Sequence, residues 1–82
     1  MDTKEIEERV KKVVSQVLNV PQDSIKIESR FVEDLGAESV QSLELVAAFE
    51  SEFDIQMEED AALSIKTVET AIEFIKKYID AK

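Results

Sequence analysis

The residues best able to support chemistry lie near the middle of the chain, around one serine. Gly36 is the only glycine in the sequence, and Ser39 follows it by three residues at the start of an amphipathic run. A glycine, a small residue, an acid and a serine at the N-terminus of a helix place an exposed hydroxyl at a rigid turn. That hydroxyl can serve as an ordinary helix cap. It can also carry a phosphate ester, because free N–H groups at a helix N-terminus favour negative charge.

The chain lacks the residues that most catalytic sites need. It contains no histidine and no cysteine, so neither a Ser–His nor a Cys–His nucleophile pair can form. One glycine is too few for a phosphate-binding loop or a dinucleotide fingerprint. The acidic run 58–60 lacks the glycine and the alternating oxygen ligands of a calcium loop. We therefore expect no enzyme activity and no metal site, and any chemistry would come with a covalently attached group.

Helical periodicity indicates an all-α fold. Apolar residues recur at helical spacings in three segments that we predict to be helices: 3–18, 39–53 and 67–79. A short helix over 58–63 is also expected, because Ala61, Ala62 and Leu63 permit it. Asp2, Asn19 and Thr67 are suitable caps for the start of the first helix, its end and the start of the last. Helix number and loop lengths predict a four-helix bundle of three long helices and one short, with a long loop between helices one and two.

The second helix and the loop before it contribute the middle of the predicted core. The apolar stripe of this helix contains Val40, Leu43, Val46, Phe49 and Phe53, and Leu45 widens it. In the loop, the alternation of residues 25–27 is compatible with a short strand. Because no second strand is available to pair with it, we expect a loop packed down by its own apolar side chains instead.

Negative charge is concentrated around Ser39. The sequence has 19 acids and 10 bases, a net charge of −9. Residues 28–60 contain eleven acids and one base, Arg30, so this stretch carries −10 and the remainder +1. Such a surface repels nucleic acid and anionic membranes and attracts basic protein patches. Acidity can also simply keep a small protein in solution, so charge alone leaves both interpretations open.

Length and composition set the remaining expectations. Eighty-two residues make one domain, spanning 1–82. No apolar run approaches the ~20 residues of a membrane span, and the first residues do not resemble a signal peptide. We expect a monomer located in the cytoplasm, without a membrane span and without a nucleic-acid partner.

One run resembles the signature of the acyl carrier protein family, in which a DLGADSL-type sequence opens the second helix: Asp34-Leu35-Gly36-Ala37-Glu38-Ser39-Val40. The segment 64–75 is similar to the last-helix pattern of that family, so the resemblance extends over nearly the whole chain. It implies that 4′-phosphopantetheine is attached covalently to Ser39 by a phosphopantetheinyl transferase (holo-acyl-carrier-protein synthase). It also implies that the chain carries acyl groups as thioesters for fatty acid, related lipid or polyketide biosynthesis.

The resemblance further implies two sets of binding residues. Docking to ketosynthases, acyltransferases and other acyl-processing enzymes with basic patches would use Asp34, Glu38, Val40, Glu44 and Glu59. The pocket for the acyl chain would be lined by Phe31, Leu45, Val46, Phe49, Met57, Ile65, Ala71 and Ile72. Acids around a small apolar contact suit a basic groove. From the residues alone, the first set could be a solvated face and the second an ordinary core.

Three positions depart from the family's usual pattern. Glu38 replaces an aspartate before the serine, Val40 a leucine after it, and Gln41 a frequent acid. Our hypothesis is a specialised bacterial carrier serving a secondary lipid or polyketide-type pathway. An aminoacyl or peptidyl carrier domain, and a helical interaction module that is never modified, remain the alternatives.

Overall fold

The structure, a computed structural model, describes residues 2–80, except the side chains of residues 59 and 61. It contains four α-helices: α1 (Thr3–Leu18), α2 (Ser39–Phe53), α3 (Glu59–Ser64) and α4 (Val68–Asp80). A single 3₁₀ turn, Gln22–Ser24, lies in the loop after α1 and was not expected from the sequence. Within the described residues there is no strand, only an isolated bridge between Arg30 and Thr67. The all-α fold with three long helices, one short helix and a long first loop is therefore confirmed.

The helix ends follow from local capping. The Asp2 carboxylate accepts a hydrogen bond from the backbone N–H of Glu5 at 2.8 Å, which satisfies one free donor of α1. Asn19 ends the helix in the left-handed conformation, with φ 55°. At the start of α4, the Thr67 hydroxyl accepts from the N–H of Thr70 at 3.1 Å. α1 and α2 have the predicted bounds, whereas α3 and α4 begin and end one residue later than predicted.

The core lies where α1 packs against α2 and α4. α1 contributes Ile6, Val10 and Val14, which are fully buried and lie four residues apart along one face. Phe49 from α2 and Ile75 from α4 meet them at the centre. None of the helices in the described part of the chain is both long and apolar enough to cross a membrane.

The buried face of α2 differs from its apolar stripe. Its buried residues are Leu45, Phe49 and Phe53, which share one face because they are four residues apart. Val40 and Leu43, which belong to the apolar stripe seen in the sequence, are 64% and 66% exposed. At 3.6 residues per turn they point about 180° and about 120° away from Phe49. The apolar stripe and the buried face differ because α2 carries apolar residues on more than one face, and only one face meets α1 and α4.

The long loop before α2 is docked onto the start of α4 by backbone hydrogen bonds. The N–H of Phe31 donates to the carbonyl of Lys66 at 3.0 Å. In return, the N–H groups of Val68 and Glu69 donate to loop carbonyls, the first of them that of Ser29 at 3.0 Å. These contacts satisfy free N–H groups of the α4 N-terminus. The loop is therefore packed, as predicted, and it brings Phe31 beneath the start of α2.

Candidate functional site

A tight corner precedes α2 and fixes its first residues. The N–H of Ala37 donates to the carbonyl of Phe31 at 2.8 Å, and the N–H of Leu35 donates to that of Arg30 at 3.0 Å. Phe31 and Ala37 are both buried. Between them Gly36 has φ 73°, a conformation that costs other L-residues roughly 1–2 kcal/mol. A Cβ on Gly36 would meet nothing within 4 Å, so glycine is needed here for its backbone conformation, not for space.

An arginine–carboxylate cluster holds the outside of this corner. The Asp34 carboxylate accepts from the backbone N–H of Arg30 at 2.8 Å and from its Nε at 3.4 Å. The same Nε lies 3.2 Å from a carboxylate oxygen of Glu33. The Arg30 N–H, followed by its guanidinium, lowers the pKa of Asp34 below its usual value. Arg30, the one base within residues 28–60, is thus engaged by neighbouring acids.

The N-cap residue of α2 is Glu38, the residue before Ser39. Glu38 has extended backbone angles (φ −89°, ψ 167°) and occupies the N-cap position. Its N–H donates to Oε1 of Gln41 at 2.9 Å, as in one half of a capping box. Ser39 is the first helical residue, and its side chain is exposed. The N-cap position that the sequence allowed for Ser39 is therefore occupied by its neighbour, and Ser39 is exposed to solvent.

A groove of about 440 Å³ opens beside Ser39, between α2, α3 and the preceding loop. It is lined mostly by apolar residues: Phe31, Val32, Glu33, Ser39, Ser42, Leu43, Val46, Ala62, Leu63, Ile65 and Lys66. A void of about 20 Å³ adjoins it and shares five of these residues, with buried Leu45 and Phe49 added. The void is too small for a bound group, so the space available in this conformation is the outer groove.

The predicted acyl-chain residues are divided between the groove and the core. Five of the eight line the groove or the adjoining void: Phe31, Leu45, Val46, Phe49 and Ile65. The other three line neither. Ala71 and Ile72 are buried within the bundle, and Met57 is half-buried against the core.

Sequence reasoning missed several lining residues of the groove. They are Val32, Glu33, Ser42, Leu43, Ala62, Leu63 and Lys66. Ser42 could have been found, because it lies three residues after Ser39 and thus on the same side of the helix. Leu43 and Leu63 were harder to find, since an exposed leucine beside a groove has the same sequence signature as a buried one.

The predicted docking residues lie near Ser39 but do not form one uniform set. Glu38, at the N-cap of α2, and Val40 and Glu44, on α2, are exposed. Asp34 is exposed as well, yet its carboxylate is already engaged by Arg30. The side chain of Glu59 lies outside the described residues. The arrangement presents two acids around an exposed valine, next to the groove.

In the part of the chain that the structure describes, no group of three or more side chains is arranged to hold a metal ion. The notable features of the site are therefore a solvent-facing hydroxyl, an apolar groove beside it and surrounding acids.

Comparison with known families identifies this arrangement. A family model described as a phosphopantetheine attachment site matches residues 8–75. The match includes the corner, all of α2 and α3, and most of α1 and α4. The chain belongs to the phosphopantetheine attachment site family. Members of this family carry 4′-phosphopantetheine covalently on a serine. The predicted resemblance to acyl carrier proteins is therefore confirmed as membership of a family of phosphopantetheine carriers. Domains of the family act as carriers that interact with a phosphopantetheinyl transferase and with acyl-processing enzymes.

The residues present fit such a group. An exposed hydroxyl is needed for attachment, and Ser39 provides one at the start of a helix. The first N–H groups of α2 have no intrahelical acceptor and favour a nearby phosphate. When bound, the group supplies a thiol that can hold a thioester. The groove beside Ser39 offers an apolar surface on which an attached chain can lie.

Proposed function

We propose that the chain is an acyl carrier protein, folded as one carrier domain, in which 4′-phosphopantetheine is attached to Ser39. The observation that carries the proposal is the position of the Ser39 hydroxyl. It is exposed, it lies on the first turn of α2 and it borders an apolar groove of about 440 Å³. The family match over residues 8–75 supports the nature of the attached group.

Ser39 is favoured over the other serines by exposure and by location. Ser42 also lines the groove, but it is half-buried, and its hydroxyl donates to the Glu38 carbonyl at 3.3 Å. Ser29 is buried. Ser64 is exposed, but its hydroxyl donates to the Asp60 carbonyl at 3.0 Å and it does not line the groove. Ser39 therefore combines the access and the surroundings that attachment requires.

The transfer reaction uses Ser39 as the acceptor. The Ser39 oxygen bonds to the phosphorus of the pantetheine phosphate of coenzyme A as the pyrophosphate bond breaks. Adenosine 3′,5′-bisphosphate leaves, and the serine proton passes to a base of the transferase. No residue of this chain has to act as the base, in agreement with the absence of histidine from the sequence.

The lining of the groove supports an acyl cargo rather than an aminoacyl one. Leu43, Leu63 and Val32 are 66%, 64% and 57% exposed, and all three line the groove. An acyl chain resting on them would bury apolar surface on both sides at roughly 25 cal/mol per Å². A charged aminoacyl group would gain little there, because its ammonium group would lose hydration.

Partner enzymes would bind the face that includes Glu38, Val40 and Glu44. The two carboxylates steer a basic patch and fix its orientation, while Val40 supplies apolar burial at the centre of the contact. Val40 is 64% exposed and points away from the core, so it is available for this role. Ketosynthases and acyltransferases with basic docking patches are the expected class of partner.

The test is the intact mass after incubation with coenzyme A and a broad-specificity phosphopantetheinyl transferase. We expect a gain of one phosphopantetheinyl group in the wild type and in Ser42→Ala, the matched control from the same groove, and none in Ser39→Ala. Since the chain has no cysteine, one thiol per chain should become reactive towards a maleimide. No gain in a folded wild-type sample, or a gain in Ser39→Ala, would overturn the proposal.

A further inference from the structure

Two side chains from different helices hold the connector 55–58, which leads from α2 into α3. The carboxylate of Glu50, on α2, accepts from the N–H of Met57 at 2.9 Å. The hydroxyl of Tyr78, on α4, accepts from the next N–H, that of Glu58, at 3.3 Å. Adjacent N–H groups are thus bound by side chains 7 and 20 residues away in the sequence. We call the pair Glu50 and Tyr78 the connector clasp.

Glu50 also fixes the other end of the connector. Its backbone carbonyl accepts from the N–H of Ile55 at 3.1 Å. Just before Ile55 the chain turns at Asp54, which adopts the left-handed conformation with φ 54°. The hydrogen bond to Glu50 is partly buried and is therefore stronger than one on an open surface, whereas the hydrogen bond to Tyr78 is exposed. The direction in which the chain enters α3 therefore depends on the clasp.

α3 forms one wall of the groove and depends on its ends for its position. Ala62 and Leu63 from α3, with Ile65 just after it, line the groove. A helix of six residues is too short to be stable without tertiary contacts. Beyond its C-terminal end, the Lys66 carbonyl accepts from the N–H of Phe31. Before its N-terminal end, the connector clasp adds to the packing of Ile55 and Met57 against the core.

We infer that Glu50 and Tyr78 are positioning residues that set the width of the groove and thereby the shielding of an acyl chain carried on Ser39. The inference rests on the proposed function, because it concerns the cargo of that serine. Neither clasp residue lines the groove, so each acts through α3. Loss of either hydrogen bond lets α3 move away from α2, and the cargo then becomes accessible to water and to nucleophiles.

The experiment compares two cargoes on four proteins. Acetyl and octanoyl phosphopantetheine are loaded from the corresponding acyl coenzyme A onto the wild type, Glu50→Ala, Tyr78→Phe and Glu52→Ala. The readout is the ratio of the octanoyl to the acetyl thioester half-life in hydroxylamine, followed by intact mass. Glu52→Ala is the matched control, because Glu52 is an acid on the same helix that lies 3.9 Å from Arg9 and not at the connector.

We expect the wild-type ratio to exceed one, since only the longer chain can lie in the groove. Glu50→Ala should lower the ratio about three- to tenfold, with one as the lower limit, because the variant loses one hydrogen bond of the clasp. Tyr78→Phe should shift it in the same direction by less, and Glu52→Ala should keep the wild-type ratio. A purely structural role would lower the melting temperatures of the acetyl and octanoyl forms equally, whereas a positioning role lowers that of the octanoyl form more.

The outcomes separate the two proposals. If the wild type gains no phosphopantetheinyl group, the proposed function fails and the inference falls with it. If the wild type is loaded but its ratio is one, or if both clasp variants keep its ratio, the inference alone is overturned. Should Glu50→Ala fail to fold, Tyr78→Phe decides, because it removes one hydroxyl and keeps the aromatic ring.

Discussion

The N–H of Glu38 donates to Oε1 of Gln41 at 2.9 Å, and this hydrogen bond fixes the first turn of α2 around Ser39. The amide of Gln41 satisfies the backbone of the N-cap residue, as a glutamate or glutamine at the third helical position does in a capping box. Gln41 departs from the usual pattern of the family, and this hydrogen bond explains the departure. Gln41 keeps the hydrogen-bond acceptor while adding no charge beside Glu38.

Gln41→Ala removes this acceptor, and we expect it to lower the free energy of unfolding by about 1 kcal/mol, the usual cost of a lost helix cap. The measurement is urea denaturation followed by far-UV circular dichroism. Gln41→Glu is the control, because it keeps an acceptor oxygen and its charge is favoured at a helix N-terminus. Equal stability of Gln41→Ala and the wild type would show that the hydrogen bond does not support the helix.

The Arg30–Asp34 contact leads to a dependence on pH. Asp34 accepts from the backbone N–H and the guanidinium of Arg30, which lowers its pKa in the folded state. In the unfolded chain the pKa returns to about 3.9. A depressed pKa stabilises the folded state above the unfolded value, and this contribution is lost as pH falls through the folded-state pKa. Asp34→Asn should therefore be less stable than the wild type at pH 7, and the difference should shrink below pH 3.8.

Denaturation of both proteins across that pH range measures the effect. Glu33→Gln is the matched control, because it removes an ion pair with the same guanidinium but leaves the Arg30 N–H bonded to Asp34. We expect a smaller loss of stability from it at pH 7. An Asp34 carboxyl that titrates at or above pH 3.8 in an NMR experiment on the folded protein would contradict the argument.

Much of the fold could be predicted because local signals agree with it. The bounds of α1 and α2, the left-handed Asn19 and the cap at Thr67 all follow from side chains within a few residues of the helix ends. Gly36 marked the corner, since its positive φ is strained for other residues. The family resemblance was carried by this short segment and by residues 64–75.

The parts that could not be predicted depend on contacts between distant residues. The hydrogen bond from Glu58 to Tyr78 spans 20 residues, and no periodicity indicates it. Which apolar residues line the groove and which lie in the core also depends on contacts between distant residues. The family resemblance implied Ala71 and Ile72 as lining residues, but they are buried in the core and do not line the groove. Helical periodicity shows that a face is apolar and does not show what covers it.

Two leucines on α2 test this division directly. Leu43 is 66% exposed at the groove, whereas Leu45 is 2% exposed in the core. We expect Leu43→Ala to change the free energy of unfolding by less than about 0.5 kcal/mol, as surface substitutions do. Leu45→Ala should cost about 2–5 kcal/mol, because it leaves a cavity. Urea denaturation of the two unmodified variants measures both values, and similar losses would show that Leu43 belongs to the core stripe after all.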